Sequence, residues 1–365
     1  MRTAAPLSSS SSRHALRMPL RLERDKARRL AAAIGAPTGV GLAHDRLVRF
    51  GECGCGYSCA AALSRVIVGG ALQYSVTGGR RTRLHIVGSR LVCKLALVTG
   101  ASRGIGLAIT KTLAARGANL LLAYTSDSSA ASTATLAAEL ASKHSIKVIP
   151  VKADLSTVAG PDSLIAQATA AFSPLRIDIL VNNAGVAYND NVTDINPDDF
   201  HRTYDINVLG PLLLVKAVVP FLPTDRSGRI INLSSVSSSM GFVGQSVYGG
   251  SKAALEAMTR TWARELSERC TVNAVNPGPV RSEMYSRNSD EFKKLIKPFI
   301  QNAPLMAARE GIDPPEVVED AKTSGGRAGE AEEVAGIVAM LAGPDSAWCT
   351  GQVICANGGM IFGMQ

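Results

Sequence analysis

The chain has 365 residues and a formal net charge of +9 at pH 7. Residues 1–90 contain fifteen Lys and Arg against four Asp and Glu, a net of +11, so the remainder carries −2 and the basic charge gives no reason to expect nucleic acid binding. Seven cysteines are too few for a disulfide framework in a chain of this length. No uninterrupted apolar run reaches the ~18 residues needed to span a bilayer, so no membrane partner is expected.

Residues 1–90 combine a serine run, a basic stretch and scattered glycines. An Arg-rich, Ser-rich and acid-poor composition is typical of a transit peptide, and also of a disordered tail or a segment without function. We expect a poorly structured extension with no catalytic role. The location is expected to be cytoplasmic, or mitochondrial if this segment acts as a transit peptide.

Cys53, Cys55 and Cys59 form a CxCxxxC cluster in this extension. The cluster lacks a second pair of ligands at the spacing of zinc sites, so no metal site is predicted. Three later cysteines are expected to be small core residues, namely Cys270, Cys349 and Cys355.

From residue 95 onward, short apolar runs alternate with segments of helical period, which predicts a doubly wound parallel sheet. The predicted strands are residues 95–99, 119–123, 147–151, 178–182, 229–233, 271–275 and 352–355. The predicted helices are residues 104–115, 129–142, 161–172, 198–219, 247–268 and 331–341. Residues 283–329 break the alternation and carry apolar residues at helical spacing, which is consistent with a surface insertion that has its own small apolar contacts.

The first predicted strand runs into three glycines, Gly100, Gly104 and Gly106, and then directly into a helix. Glycine permits a tight turn and lets backbone approach a pyrophosphate, whose charge is favoured at the amino end of a helix. Taken alone, the same glycines could also form an ordinary structural turn.

Tyr248 and Lys252 are four residues apart in a segment of helical period, so their side chains share one face. An ammonium beside a phenol stabilises the phenolate and lowers the pKa of the phenol, which makes it a usable proton donor. Ser235 follows a predicted strand, at the edge where open α/β sheets bind ligands. The four-residue pattern by itself also occurs as a surface pair on ordinary helices.

Together these motifs resemble the short-chain dehydrogenase/reductase family, and within it 3-oxoacyl-[acyl-carrier-protein] reductases and fungal ketoreductases. The family pairs a TGxxxGxG turn with NNAG, Asn, Ser and YxxxK in fixed order. Here these are residues 99–106, residues 182–185, Asn207, Ser235 and residues 248–252. The resemblance implies one Rossmann domain over residues 91–365, strand order 3-2-1-4-5-6-7, a substrate lid at about 283–329, and a homodimer or homotetramer.

The resemblance also implies a role for each matching residue. The implied catalytic residues are Asn207, Ser235, Tyr248 and Lys252. The implied cofactor-binding residues are Gly100, Ser102, Arg103, Gly104, Ile105, Gly106, Tyr124, Thr125, Ser126, Asp154, Leu155, Asn182, Ala184, Gly185, Tyr248, Lys252, Pro277, Gly278, Val280 and Ser282.

The end of the second predicted strand indicates which cofactor is bound. NAD sites place an acid there to bind the ribose 2′-hydroxyl, whereas NADP sites place a basic residue near the 2′-phosphate. This position is Tyr124, and Arg103 in the glycine turn can reach the same place. Asp127 lies beyond the strand end and is expected to cap the helix that begins near Ser129. We therefore expect NADP(H) to be preferred over NAD(H).

Pro211 stands four residues after Asn207 within a predicted helix. Proline lacks the N–H that would bond the carbonyl of Asn207, so this carbonyl is left free or the helix is merely kinked. In the family this Asn helps to hold a water that links the catalytic Lys to solvent.

The function expected from the sequence is NADPH-dependent reduction of a ketone, with 3-oxoacyl or polyketide-like compounds as substrates and Tyr248 as proton donor. Two alternatives remain open at this point. One is an NAD-dependent alcohol dehydrogenase of the same fold, which Tyr124 disfavours. The other is a dinucleotide-binding regulator without turnover, which loss of any implied catalytic residue would have favoured.

Overall fold

A computed structural model describes residues 91–362, and the expectations for residues 1–90 lie outside the described residues. Seven strands form one parallel sheet in the order β3-β2-β1-β4-β5-β6-β7, which confirms the predicted fold class. The strands are β1 (Leu95–Thr99), β2 (Asn119–Tyr124), β3 (Val148–Lys152), β4 (Ile179–Asn182), β5 (Gly228–Leu233), β6 (Cys270–Pro277) and β7 (Val353–Ala356).

Strand β1 is central and pairs with β2 on one side and β4 on the other. Its residue Val98 lies beside Leu122 of β2 and Val181 of β4, so the carboxyl ends of the three strands are level. The connection from β1 leads to β2 on one side, whereas the connection from β3 leads to β4 on the other, and ligands of open α/β sheets bind in the crevice formed where the direction changes.

Helices cover both faces of the sheet, as expected for parallel strands that are buried on both sides. The larger helices are α1 (Gly104–Ala115), α2 (Ala130–His144), α3 (Gly160–Ala171), α4 (Pro197–Tyr204), α5 (Gly210–Val218), α7 (Ser246–Glu265) and α11 (Ala331–Leu341), and α6 (Ser237–Met240) is one short turn. Ile109 of α1 and Val338 of α11 belong to the core on one face. Leu164 of α3, Leu214 of α5 and Trp262 of α7 belong to the core on the other.

The helix predicted over residues 198–219 is present but irregular, because a π-helical turn at Asp205–Leu209 lies between two α-helical parts. The N–H of Gly210 bonds to the carbonyl of Asp205, five residues earlier. Pro211 explains the interruption, since it cannot donate the bond that a continuous α-helix needs. By length and composition, Pro197–Phe221 is apolar enough to cross a membrane, but Leu214 lies in the core beneath the sheet.

Three helices form most of the segment that interrupts the alternation, namely α8 (Glu283–Ser286), α9 (Asp290–Gln301) and α10 (Pro315–Ser324). This segment has its own apolar cluster, in which Ile296 and Ile300 of α9 pack with Met306. Partly buried Phe242 and Tyr285 pack against the same cluster. The segment is therefore attached through side-chain packing beside the loop that follows β5.

Two smaller predictions need correction. Asp127 does not cap α2, because that helix begins at Ala130 without a side-chain cap and Asp127 instead forms an ion pair with Lys152 at 2.5 Å. Of the three cysteines expected in the core, Cys270 is buried, whereas Cys349 and Cys355 are only partly buried.

Candidate active site

Two glycines of the turn after β1 are required for different physical reasons. Gly104 has φ +53°, a left-handed conformation, and a Cβ there would meet only the Ser282 side chain at 3.8 Å. A Cβ on Gly106 would lie 2.1 Å from the carbonyl oxygen of Gly100. Gly106 is therefore required by packing within the turn, while Gly104 leaves the outer side of the turn open.

The amino end of α1 fits the pyrophosphate of a dinucleotide. Its first turn contains no acidic residue, and no side chain caps its free backbone N–H groups. The N-cap residue is Arg103, which adds positive charge beside Ser102 and Ile105. Free N–H groups and a basic side chain at a helix amino end are the features that bind phosphate.

The NNAG sequence after β4 contacts the glycine turn through its second Asn. The side chain of Asn183 donates to the carbonyl oxygens of Thr99 at 2.8 Å and Gly100 at 3.2 Å. Asn182, which the resemblance implied as a cofactor ligand, is buried and donates to Asn232 on β5 at 2.8 Å. The Asn182 side chain therefore links two strands, and its implied role in cofactor binding stays a prediction. Asn183 contacts the glycine turn and is a residue that sequence reasoning missed.

Tyr248 and Ser235 line the same cavity, Tyr248 from α7 and Ser235 from the loop after β5. Burial raises the pKa of the Tyr248 phenol, and a hydrogen bond with Ser235 partly opposes this. The Ser235 hydroxyl also lies 3.0 Å from that of Ser237. The phenol is therefore protonated at neutral pH and is connected to the serine hydroxyl.

Lys252 is buried one turn after Tyr248, and its ammonium donates to the carbonyl of Leu233 at 2.7 Å. Its Nζ lies 5.7 Å from the centroid of the Tyr248 ring. Burial lowers the pKa of Lys252 to about 8, and the charge of Glu256 opposes this shift. Burial is the largest effect on the pKa of the Tyr248 phenol, so the lowering of that pKa by Lys252 stays a prediction.

Asn207 is fully buried in the π-helical turn and connects three segments. Its side chain accepts a bond from the N–H of Val186 and donates to the Val186 carbonyl and to the Ser251 hydroxyl on α7, at 3.0, 2.9 and 3.0 Å. A Cβ on Gly185 would lie 3.2 Å from the Asn207 Oδ1 and 3.4 Å from the Lys252 Nζ. Asn207 and Gly185 therefore lie beside Lys252, and the role of Asn207 in holding a water stays a prediction.

One cavity of about 130 Å³ collects many of the implied residues. Those that line it are Ile105, Ser235, Tyr248, Pro277, Gly278, Val280 and Ser282. Residues of the interrupting segment also line it, including Met284, Tyr285 and Asn288. This segment, 283–329, forms one wall of the cavity, and we call it the lid.

The residues implied to bind the adenosine end of the cofactor follow β2 and β3, on the opposite side of β1 from the cavity. Thr125 donates from its hydroxyl to the carbonyl of Ala153 at 3.2 Å, and Ser126 bonds to Ser129 at 2.8 Å. Asp154 accepts from the N–H of Ser156 at 3.0 Å and lines a second groove together with Thr125.

Three of the implied ligands have other contacts in this structure. Leu155 is buried in the core, and the implied contact of this residue with the adenine stays a prediction. Arg103 forms an ion pair with Glu283 of the lid at 3.2 Å. Ser282 caps α8 by accepting from the N–H of Tyr285 at 3.2 Å.

One hydrogen bond and one strand pairing position two further implied ligands. The N–H of Ala184 donates to the hydroxyl of Thr99 at 3.0 Å, and Tyr124 ends β2 beside Lys152 of β3. Within residues 91–362, no group of three or more His, Cys, Asp or Glu side chains is arranged to bind a metal ion.

Comparison with known proteins identifies similar sequences. A family model described as enoyl-(acyl carrier protein) reductase matches residues 100–361. The chain is 49% identical over 292 residues to an L-xylo-3-hexulose reductase of Hypocrea jecorina, which covers 73% of this chain and 96% of the relative. It is 50% identical over 293 residues to an L-xylulose reductase of Aspergillus niger, covering 74% of this chain and 97% of the relative.

A similar solved structure is that of a blue fluorescent protein from a metagenomic library in complex with NADPH. The identity is 34% and the TM-score is 0.64, with 75% of this chain and 100% of the other covered. The fold is therefore shared over about three quarters of this chain.

Proposed function

This chain belongs to the short-chain dehydrogenase/reductase family of oxidoreductases, and we propose that it is an NADPH-dependent reductase of ketones that carry hydroxyl groups. The observation that carries the proposal is the meeting of Ser235, Tyr248 and the end of β6 in one cavity under the lid. The names of two relatives that are about half identical favour a sugar-like ketone over a 3-oxoacyl or polyketide-like one.

In the proposed reaction, Ser235 donates a hydrogen bond to the ketone oxygen and Tyr248 donates a proton to it. Tyr248 holds its proton at neutral pH, as a proton donor must, and stabilisation of the phenolate has to offset the burial that raises its pKa. A bound reduced nicotinamide supplies the hydride to the carbonyl carbon. The Lys252 ammonium, 5.7 Å from the phenol ring, stabilises the phenolate that forms.

The preference for NADPH rests on charge near the end of β2. Tyr124 leaves this position without a carboxylate, and Arg103 at the amino end of α1 offers a guanidinium. A guanidinium pairs with a phosphate through two parallel hydrogen bonds. The relative solved with NADPH is consistent with this preference.

The proposal is tested by a panel of ketones assayed with NADPH and with NADH, following the loss of nicotinamide absorbance. L-Xylulose and other ketoses, a 3-oxoacyl thioester and an aromatic ketone cover the substrate classes. We expect the highest kcat/KM for a ketose with NADPH. Turnover of no ketone with either cofactor, or turnover of the 3-oxoacyl thioester alone, would contradict it.

A homodimer or homotetramer remains part of the proposal, because the family resemblance implies it. Light scattering on the purified full chain measures this directly. A monomer at the concentrations used in the assay would contradict the expectation without affecting the proposed reaction.

A further inference from the structure

The cavity beside Tyr248 has an apolar wall and a polar rim. Phe242, Phe292 and Ile296 supply the apolar side, and the ring centroids of the two Phe residues are 6.3 Å apart. Gln245 and Tyr285 supply polar atoms from two different segments, the loop before α7 and the lid. Polar side chains at such a cavity have a strong influence on which ligands fit.

The side-chain amide of Gln245 has its nitrogen hydrogen-bonded and its oxygen without a partner. Its side chain is 8% exposed, and its Nε2 donates to the Oδ1 of Asn189 at 3.1 Å. Asn189 in turn donates to the Oδ1 of Asn288 in the lid at 3.0 Å. This chain of amides fixes the orientation of Gln245. Its Oε1 is buried without a hydrogen-bond partner.

Tyr285 carries a second unpartnered polar atom at the same cavity. Its hydroxyl is buried and has no hydrogen-bond partner. Its backbone is fixed because its N–H donates to the Ser282 hydroxyl at 3.2 Å. Burial raises the pKa of this phenol, so the hydroxyl keeps its proton and can donate.

Buried polar atoms in folded proteins are nearly always hydrogen-bonded, so two unpartnered ones on residues that line one cavity suggest that a ligand completes them. Gln245 Oε1 accepts and the Tyr285 hydroxyl donates or accepts, which suits alcohol groups. Neither atom carries charge, so the cavity does not call for a carboxylate or a phosphate on the reacting part of the substrate.

We propose that Gln245 and Tyr285 bind hydroxyl groups of the substrate and so select an open-chain polyhydroxylated ketone over a plain ketone of the same skeleton. This proposal rests on the proposed function, since it assigns the substrate class of that cavity. A plain ketone would leave both polar atoms buried and unpaired, which is the condition under which enzymes discriminate most strongly.

The test compares two substrates with the same five-carbon skeleton, L-xylulose and 2-pentanone, with NADPH as cofactor. The variants are Tyr285→Phe and Gln245→Leu, which remove one polar partner each. Each is expected to lower kcat/KM for L-xylulose about 10- to 100-fold and to leave that for 2-pentanone within about threefold. Matched controls are Tyr204→Phe and Gln167→Leu, because neither residue lines the cavity. Both are expected to retain the wild-type ratio of kcat/KM for L-xylulose to kcat/KM for 2-pentanone.

A binding measurement accompanies the kinetics, because it needs no turnover. Xylitol added to the NADP⁺-loaded wild-type protein is expected to raise its melting temperature, and this rise is expected to be absent in Tyr285→Phe. The melting temperature and NADPH affinity of each variant without xylitol show whether it is folded.

The outcomes separate the two proposals. Equal losses on L-xylulose and 2-pentanone, or unchanged use of L-xylulose, would overturn the assignment of Gln245 and Tyr285 while leaving ketone reduction intact. Wild-type reduction of 2-pentanone without any reduction of L-xylulose would overturn it as well. If the wild-type protein turns over neither substrate nor any other ketone, the proposed function itself is overturned. If xylitol then also fails to raise the melting temperature, the assignment of Gln245 and Tyr285 is overturned too.

Discussion

The carboxylate of Glu256 accepts a 2.6 Å hydrogen bond from the hydroxyl of Ser234, the residue directly before Ser235. The same oxygen accepts a 2.8 Å bond from Ser238, so it holds the loop on both sides of Ser235. Glu256 lies on α7, one helical turn after Lys252. It therefore fixes the position of the Ser235 loop relative to the helix of the proposed proton donor.

Replacing Glu256 by Leu removes both anchors of this loop. We expect kcat for ketone reduction to fall about 10- to 100-fold with KM nearly unchanged, because small displacements of a reacting group are costly. Steady-state kinetics with NADPH measure the effect. Glu265→Leu is the matched control, because Glu265 is exposed on the same helix. A rise in KM at constant kcat would contradict a positioning role.

The pH dependence of reduction should follow Lys252, whose pKa is lowered by burial to about 8. Below that pH the side chain is an ammonium that stabilises the phenolate, and above it the charge is lost. We expect kcat/KM to fall as pH rises through about 8. The charge of Glu256 raises the pKa of Lys252, so Glu256→Gln should move this fall to lower pH. A fall that stays in place, or moves to higher pH, would contradict the coupling.

Tyr248→Phe removes the proposed proton donor and keeps the ring. We expect a loss of about 100-fold or more in kcat, because general acid catalysis typically contributes that much. The Kd for NADPH, measured by fluorescence titration, is expected to stay within about threefold, since a phenol hydroxyl adds little to cofactor binding. Tyr204→Phe serves as control. Activity within a few-fold of wild type would remove Tyr248 from the proposed mechanism.

The ion pair between Arg103 and Glu283 joins the glycine turn to the lid. Arg103→Ala should weaken NADPH binding far more than NADH binding, because only NADPH carries the 2′-phosphate. Glu283→Gln should tighten NADPH binding slightly, about twofold, since an exposed ion pair competes only weakly for the guanidinium. Kd values for both cofactors measure these effects. Equal losses for NADPH and NADH in Arg103→Ala would mean that the 2′-phosphate is bound elsewhere.

Residues 1–90 supply none of the proposed site residues, so a chain beginning at Leu91 should fold and reduce ketones with unchanged cofactor affinity. Leu91 itself must be retained, because it is 2% exposed in the core and its N–H donates to the carbonyl of Arg116 at 3.2 Å. In this shortened chain, Leu91→Ala should cost about 2–5 kcal/mol of unfolding free energy. Urea denaturation measures the cost. An insoluble or inactive shortened chain would show that the extension contributes to the fold.

Local patterns in the sequence determined the sheet, the glycine turn and the Tyr248–Lys252 pair. Strand and helix periods are properties of neighbouring residues, and a spacing of four sets two side chains on one helical face whatever surrounds the helix. The left-handed conformation of Gly104 is likewise a local requirement that only glycine meets easily. These features could therefore be predicted before any long-range contact was known.

Only the tertiary structure decided which Asn of the NNAG sequence meets the glycine turn, because that depends on pairing between strands. Asn182 is satisfied by Asn232 on the neighbouring strand, and this leaves Asn183 for Gly100. The unpartnered atoms of Gln245 and Tyr285 depend in the same way on how the lid packs beside α7. A sequence shows which polar groups exist, but whether a buried one has a partner depends on residues that folding brings together from distant parts of the chain.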